Sequence, residues 1–159
     1  MPYIKKENRP KKDPVVEKLK FFKVGPNTDL EEILFRYCKE HVTPSYNSYK
    51  NYIGELNECA AEINRRLTFT DEGETNVATA NANAELTLSD MADVILCMKE
   101  CDIKADGDLN YVLFKYCKEN MTAQNAYNFA DGLGETVARI RNEILASYEE
   151  SKIAENGDV

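Results

Sequence analysis

Apolar residues recur along this chain at helical spacing, and they do so twice in the same order. Val15, Val16, Leu19 and Phe22 predict a short helix from about Pro14 to Phe22. Leu30, Ile33, Leu34 and Tyr37 form the stripe of a second helix. Thr28 and Glu31 stand at capping-box spacing at its start, and Thr43-Pro44 closes it. Tyr49, Tyr52, Leu56, Cys59, Ile63 and Leu67 mark a third, from about Tyr46 to Leu67. Later in the chain Thr87 and Asp90 stand at capping-box spacing before another helix. Leu109, Val112, Leu113 and Tyr116 make the next stripe. Thr122 is placed to cap a last helix, in which Ala126, Phe129, Leu133, Val137, Ile140 and Ile144 alternate by three and four like a coiled-coil seam.

The two series are diverged copies of one unit. Thr28 to Glu40 aligns without gaps on Gly107 to Glu119, sharing Leu-Phe-(Arg/Lys)-Tyr-Cys-Lys-Glu. Val15, Val16, Leu19 and Phe22 face Val94, Ile95, Met98 and Cys101 at the same offset. Leu56, Glu58, Ala61 and Ile63 face Leu133, Glu135, Ala138 and Ile140 at an offset shorter by two, so the first copy carries a small insertion near Pro44 to Ser48. A fixed internal period makes each copy one supersecondary unit. The fold class this predicts is all-α, with two diverged three-helix repeats packed as a pseudo-dimeric helical bundle. Residues 1–12 form a basic arm, 13–67 the first repeat, 68–88 an acidic, polar linker, 89–148 the second repeat, and 149–159 an acidic tail trailing on the surface.

Charge sharpens this division. The 159 residues carry a net charge of −8, but residues 1–28 hold eight Lys/Arg against three acids and so leave the remainder at −13. The favoured reading pairs the basic arm with the acidic remainder of its own or a sister chain; contact with an acidic partner or a phosphate is the other. An acidic body is a poor nucleic-acid binder. No apolar run approaches the ~20 residues needed to span a bilayer, and the charged N-terminus lacks the apolar stretch of a signal peptide. Five cysteines and no secretory signal suit reduced thiols in the cytoplasm.

Catalytic and metal chemistry find little footing. The one histidine, His41, sits at a helix C-terminus, where it more often complements the dipole than catalyses. Cys97 and Cys101 fall at helical spacing without a second pair, a weak metal signal. Asp102 to Asp108 begins like a calcium loop but has Lys104 at the third position and Leu113 at the twelfth. The seven glycines are scattered and form no phosphate-cradling loop. Paired carboxylates on the amphipathic helices read mostly as solvated faces. No enzyme, cofactor or metal is expected. The nine tyrosines divide between half-buried core positions and binding surface.

Met1-Pro2-Tyr3-Ile4, Arg9-Pro10, Tyr49 to Arg66, Gly107-Asp108-Leu109-Asn110-Tyr111 and the ending Lys152-Ile153-Ala154-Glu155-Asn156-Gly157-Asp158-Val159 resemble a family of small proteins of unknown function from bacteriophages and prokaryotes. Members of that family usually carry one copy of the unit between such a start and such an end. Here the unit is doubled and each outer signature occurs once. The copies also retain different parts: Gly107 to Tyr111 survives in the second, Arg65-Arg66 in the first. The resemblance thus implies fused homodimer partners and a composite site joining Asp108, Asn110 and Tyr111 to Arg65 and Arg66, with neutral drift as the competing account. The wider set of candidate binding residues is Arg9, Tyr49, Tyr52, Arg65, Arg66, Asp108, Asn110, Tyr111, Tyr148 and Glu149. The leading expectation is a non-catalytic accessory or counter-defence protein of the phage type that docks on a host or phage protein. The alternative is a sponge that holds a nucleotide-like anion between arginine forks and tyrosine rings. An enzyme comes last. A homo-oligomer is left open.

Overall fold

A computed structural model describes residues 4–26, 28–68 and 85–159. The described residues are helical and contain no strand. A 3-10 turn, Lys6–Lys11, leads into α1 (Asp13–Phe22), α2 (Thr28–His41) and α3 (Tyr46–Arg66). Then follow α4 (Leu88–Glu100), α5 (Asp108–Asn120), α6 (Ala123–Arg139), a π-helical segment (Ile140–Leu145) and α7 (Ala146–Asn156). Most of the linker lies outside the described residues; α4 begins at Leu88.

Local chemistry sets the helix starts. The Ser45 hydroxyl accepts the Ser48 N–H at 3.0 Å before α3, and the Thr122 hydroxyl accepts the Asn125 N–H at 3.3 Å before α6. Thr87 and Asp90 close a reciprocal capping box on α4. Each such cap satisfies N–H groups that a helix cannot satisfy itself.

The tail departs from the expectation. From Glu149 to Asn156 it belongs to α7, which carries the line of α6 onward through the π segment. A helix already nucleated extends at little cost, and Lys152 pairs with Glu155 at 3.2 Å on its surface. None of the residues of α7 is fully buried.

The helices pack across the two halves of the chain. α3 lies along α6, α1 against α4 and α5, α2 against α4 and α6, and α3 also against α5. These pairings leave one continuous core. Leu19, Leu30, Ile33, Leu34, Leu56 and Ile63 of the first copy bury with Met98, Leu109, Leu113, Phe129 and Leu133 of the second.

Equivalent positions share their fine geometry. Lys23 and Asp102, at the ends of α1 and α4, both adopt left-handed backbone, with φ of 53° and 54°. Each is followed by an N–H that reaches back to close the helix end: Val24 to the Leu19 carbonyl and Ile103 to the Met98 carbonyl, both at 3.1 Å. Those same two residues receive a hydroxyl from the opposite copy. Tyr37 donates to the Ile103 carbonyl and Tyr116 to the Val24 carbonyl, each at 2.7 Å and buried.

Candidate functional site

The polar residues singled out in the sequence gather along α5, where it meets α3 and the N-terminal arm. Gly107 precedes α5 with φ of 118°, a conformation that a side chain resists. This turn aims the Gly107 and Asn110 N–H groups at one carboxylate, that of Glu55 on α3, at 2.7 and 3.1 Å. A buried acid from another helix thereby caps α5 and meets the positive end of its dipole. Burial pushes the Glu55 carboxyl up, outweighing the backbone N–H bonds that pull it down.

Two turns further along α3 stands Glu62, fully buried. It accepts from the Asn110 side-chain amide at 3.4 Å and pairs with Arg66 at 2.6 Å. The Arg66 guanidinium lies 4.7 Å above the Phe114 ring.

On the adjoining face of α5, Tyr111 donates its hydroxyl to Asp13 at 2.6 Å, and Lys115 reaches the same carboxylate at 3.1 Å. Burial, and then the bond to Asp13, raise the Tyr111 hydroxyl above its ordinary value, so it stays a donor. Arg9 covers that ring at 5.7 Å. Lys12 pairs with Asp108 at 3.1 Å and donates to the Cys101 and Asp102 carbonyls at 2.9 and 3.1 Å. Arg9, Lys12 and Asp13 are therefore folded down onto α5 and the turn before it.

Of the ten candidates, Arg9, Arg66, Asp108, Asn110 and Tyr111 come together here. Arg65 is exposed. Tyr52 is a core residue whose hydroxyl donates to the Leu34 carbonyl at 2.8 Å, which removes it from any surface. Tyr49 and Tyr148 meet edge to face at 5.6 Å, beside a shallow cleft of about 390 Å³ that also touches Phe35 and Glu143. Glu149 is exposed.

Sequence reasoning missed Glu55 and Glu62, taking the carboxylates of α3 for solvated ones. Their signal was available. Glu55, Cys59, Glu62 and Arg66 recur at helical spacing directly beside the apolar stripe of Tyr52, Leu56 and Ile63.

This arrangement joins elements and leaves little reactivity. The cations at its centre already have carboxylates, which leaves them poorly placed to receive an added anion. Four of the thiols are quiet too. Burial pushes Cys38 and Cys117 to about 12, Cys97 to about 11, and Cys59 well above its ordinary value, far from the thiolate a nucleophile needs. His41 faces Glu40 at 3.8 Å, at a cleft of about 390 Å³ lined by Ser48, Asn51, Asp102 and Asp106. Among the described residues no group of three His, Cys, Asp or Glu is placed to hold a metal ion. None of their helices is long and apolar enough to cross a membrane.

An apolar depression lies elsewhere, outside α1. Pro10, Pro14, Phe21 and Cys97 line a groove of about 840 Å³ with Glu17, Lys18 and Lys20 around it. Phe21 is 75% exposed, and Leu96, next to Cys97, is 50% exposed.

Residues 1–79 match the profile of a domain of unknown function (DUF6899), a span that takes in the arm and the first copy. Neither a curated protein nor a solved structure matches the chain.

Proposed function

We propose that this chain is a non-catalytic binding protein that docks on another protein through the groove outside α1. The observation that carries this reading is Phe21, a large ring three-quarters exposed at the edge of an apolar groove. Isolated exposed apolar residues are ordinary, but an apolar ring beside a groove walled by Pro10, Pro14 and Cys97 suits insertion of a partner's apolar side chain. Two of the four charged groups at the groove are engaged within the chain, Lys18 with Asp93 at 3.0 Å and Asp13 with Lys115 at 3.1 Å, and Pro10, Pro14, Phe21 and Cys97 supply its apolar wall. The groove therefore offers apolar contact more than charge.

The resemblance of the outer signatures to phage and prokaryotic proteins makes an accessory or counter-defence factor in a bacterial cytoplasm the setting we propose. The anion-sponge reading draws less support, because Arg66 is held by Glu62 and Arg9 sits over the Tyr111 ring at 5.7 Å. The buried Cys38, Cys59 and Cys117, whose thiols burial raises, favour binding over catalysis.

The test is native mass spectrometry of tagged protein purified gently from its host lysate, beside a Phe21→Lys variant. A second chain at fixed stoichiometry with the parent is expected. The variant should lose it while keeping its circular dichroism and thermal midpoint, since Phe21 contributes little to the core. Retention of that chain by the variant would refute docking at the groove. A small mass lost on denaturation, with no second chain, would favour the sponge.

A further inference from the structure

Two of the places where the copies meet, α3 against α5 and α6 against α2, are equivalent in position and opposite in charge. Where α3 carries Glu62 and Arg66, α6 carries Arg139 and Glu143 at the corresponding positions of the second copy. Where α5 offers Asn110, Tyr111 and Phe114, α2 offers Glu31, Glu32 and Phe35 at the corresponding positions of the first. Arg139 lies 3.3 Å from Glu31, 2.9 Å from Glu32 and 3.4 Å from Glu143, with its guanidinium 3.8 Å above Phe35. One junction thus buries a carboxylate against an amide and the other holds a guanidinium among three carboxylates.

The caps differ in the same one-sided way. Glu55 caps α5, while its counterpart on α6 is Gly132. A Cβ on Gly132 would already touch the Leu30 side chain and the Pro26 carbonyl at 3.7 Å. The chain before α2 occupies the space that a longer side chain would need.

We infer that each unit's inner face is a docking surface that fits the other unit and rejects a copy of itself. Paired with its own kind, the first unit would set buried Glu62 against Glu31 and Glu32 with no Arg139 between them. Buried like charges of this kind are costly. Paired with its own kind, the second unit would lose Glu31 and Glu32 as partners of Arg139. The Gly107 and Asn110 N–H groups would lose Glu55. The occupant of either face is the other unit, whether from the same chain or from a second copy of the chain. This inference does not depend on the groove outside α1.

The test uses the full chain with a protease site inserted between residues 69 and 84, cut after folding. Cut protein of natural and heavy isotope composition is mixed, unfolded in urea, refolded together and weighed by native mass spectrometry. Every particle should hold one first unit and one second unit, with light and heavy exchanged freely. In Glu62→Arg protein treated the same way, pairs of first units should appear, because Arg at 62 can meet Glu31 and Glu32. Homotypic pairs from the unaltered sequence in the proportion of indifferent association would overturn the inference. So would units that refold singly, or a failure of the unaltered halves to reassemble.

Discussion

Three side chains do most to register one copy on the other. Tyr37 and Tyr116 each send a hydroxyl across the boundary to a backbone carbonyl that closes a helix. A buried hydrogen bond of this sort contributes about 1 kcal/mol net, and its loss costs more when the carbonyl is left dry. Glu55 does the converse, accepting backbone N–H groups from the far side. Its carboxyl is raised in the folded chain, mainly by burial. The sign follows by linkage. The stability it contributes is fully present below its ordinary value of 4.5 and is lost as pH rises through the raised folded value. Asp29, also raised by burial, acts in the same direction. Thermal midpoints of the native chain and of Glu55→Gln, measured across that window, should show the native chain gaining on the variant as pH falls. A difference that stays constant with pH would contradict the assignment.

At the scale of elements, α6 is the unusual helix, with Gly132 and Gly134 in its interior. Gly132 has a reason, since Leu30 and Pro26 pack close to it. Gly134 has open space where a Cβ would stand. Gly134→Ala should therefore stabilise the chain by about 0.5–1 kcal/mol, read as a higher urea midpoint with an unchanged slope. The helices themselves were legible because each buries one stripe, and stripe spacing is written in the sequence. The start of α3 at Tyr46 and the caps at Thr87 and Thr122 follow from side-chain chemistry within a few residues. The helical tail was not legible, because α7 has no fully buried residue and owes its form to the helix before it. The site was half legible. Asn110, Tyr111 and Arg66 stood out by motif. Glu55 and Lys12 did not, because their partners lie in other elements and a lone sequence does not say which faces meet; Glu62 was passed over although its partner Arg66 stands four residues on in the same helix.

At the scale of the whole molecule, the interleaving of copies means that neither can come apart by itself. α3 runs along α6, and α1 and α2 both rest on α4. Such a chain should unfold in one step, without a stage in which one copy is folded and the other is not. Leu56→Ala, a cavity in a fully buried part of α3, should cost about 2–5 kcal/mol. Amide exchange should then quicken in α5 and α6 as much as in α2 and α3. Quickening confined to the first copy would show two independent folding units. Contacts between residues so far apart in sequence also make folding slow for a helical chain.

The crossed tyrosine hydroxyls have one more consequence, an optical one. The chain has no Trp, so its near-ultraviolet spectrum belongs largely to tyrosine. Burial holds Tyr37 at about 12 and pushes Tyr116 and Tyr52 higher still. Tyr37 and Tyr116 are buried rings whose hydroxyls cross from one half of the chain to the other. Their tyrosinate absorbance cannot develop in mild alkali while the helices stay together, and it must arrive with their parting. The growth of that band after a jump to high pH is thus a clock for the separation of the two copies, readable without any added dye or label.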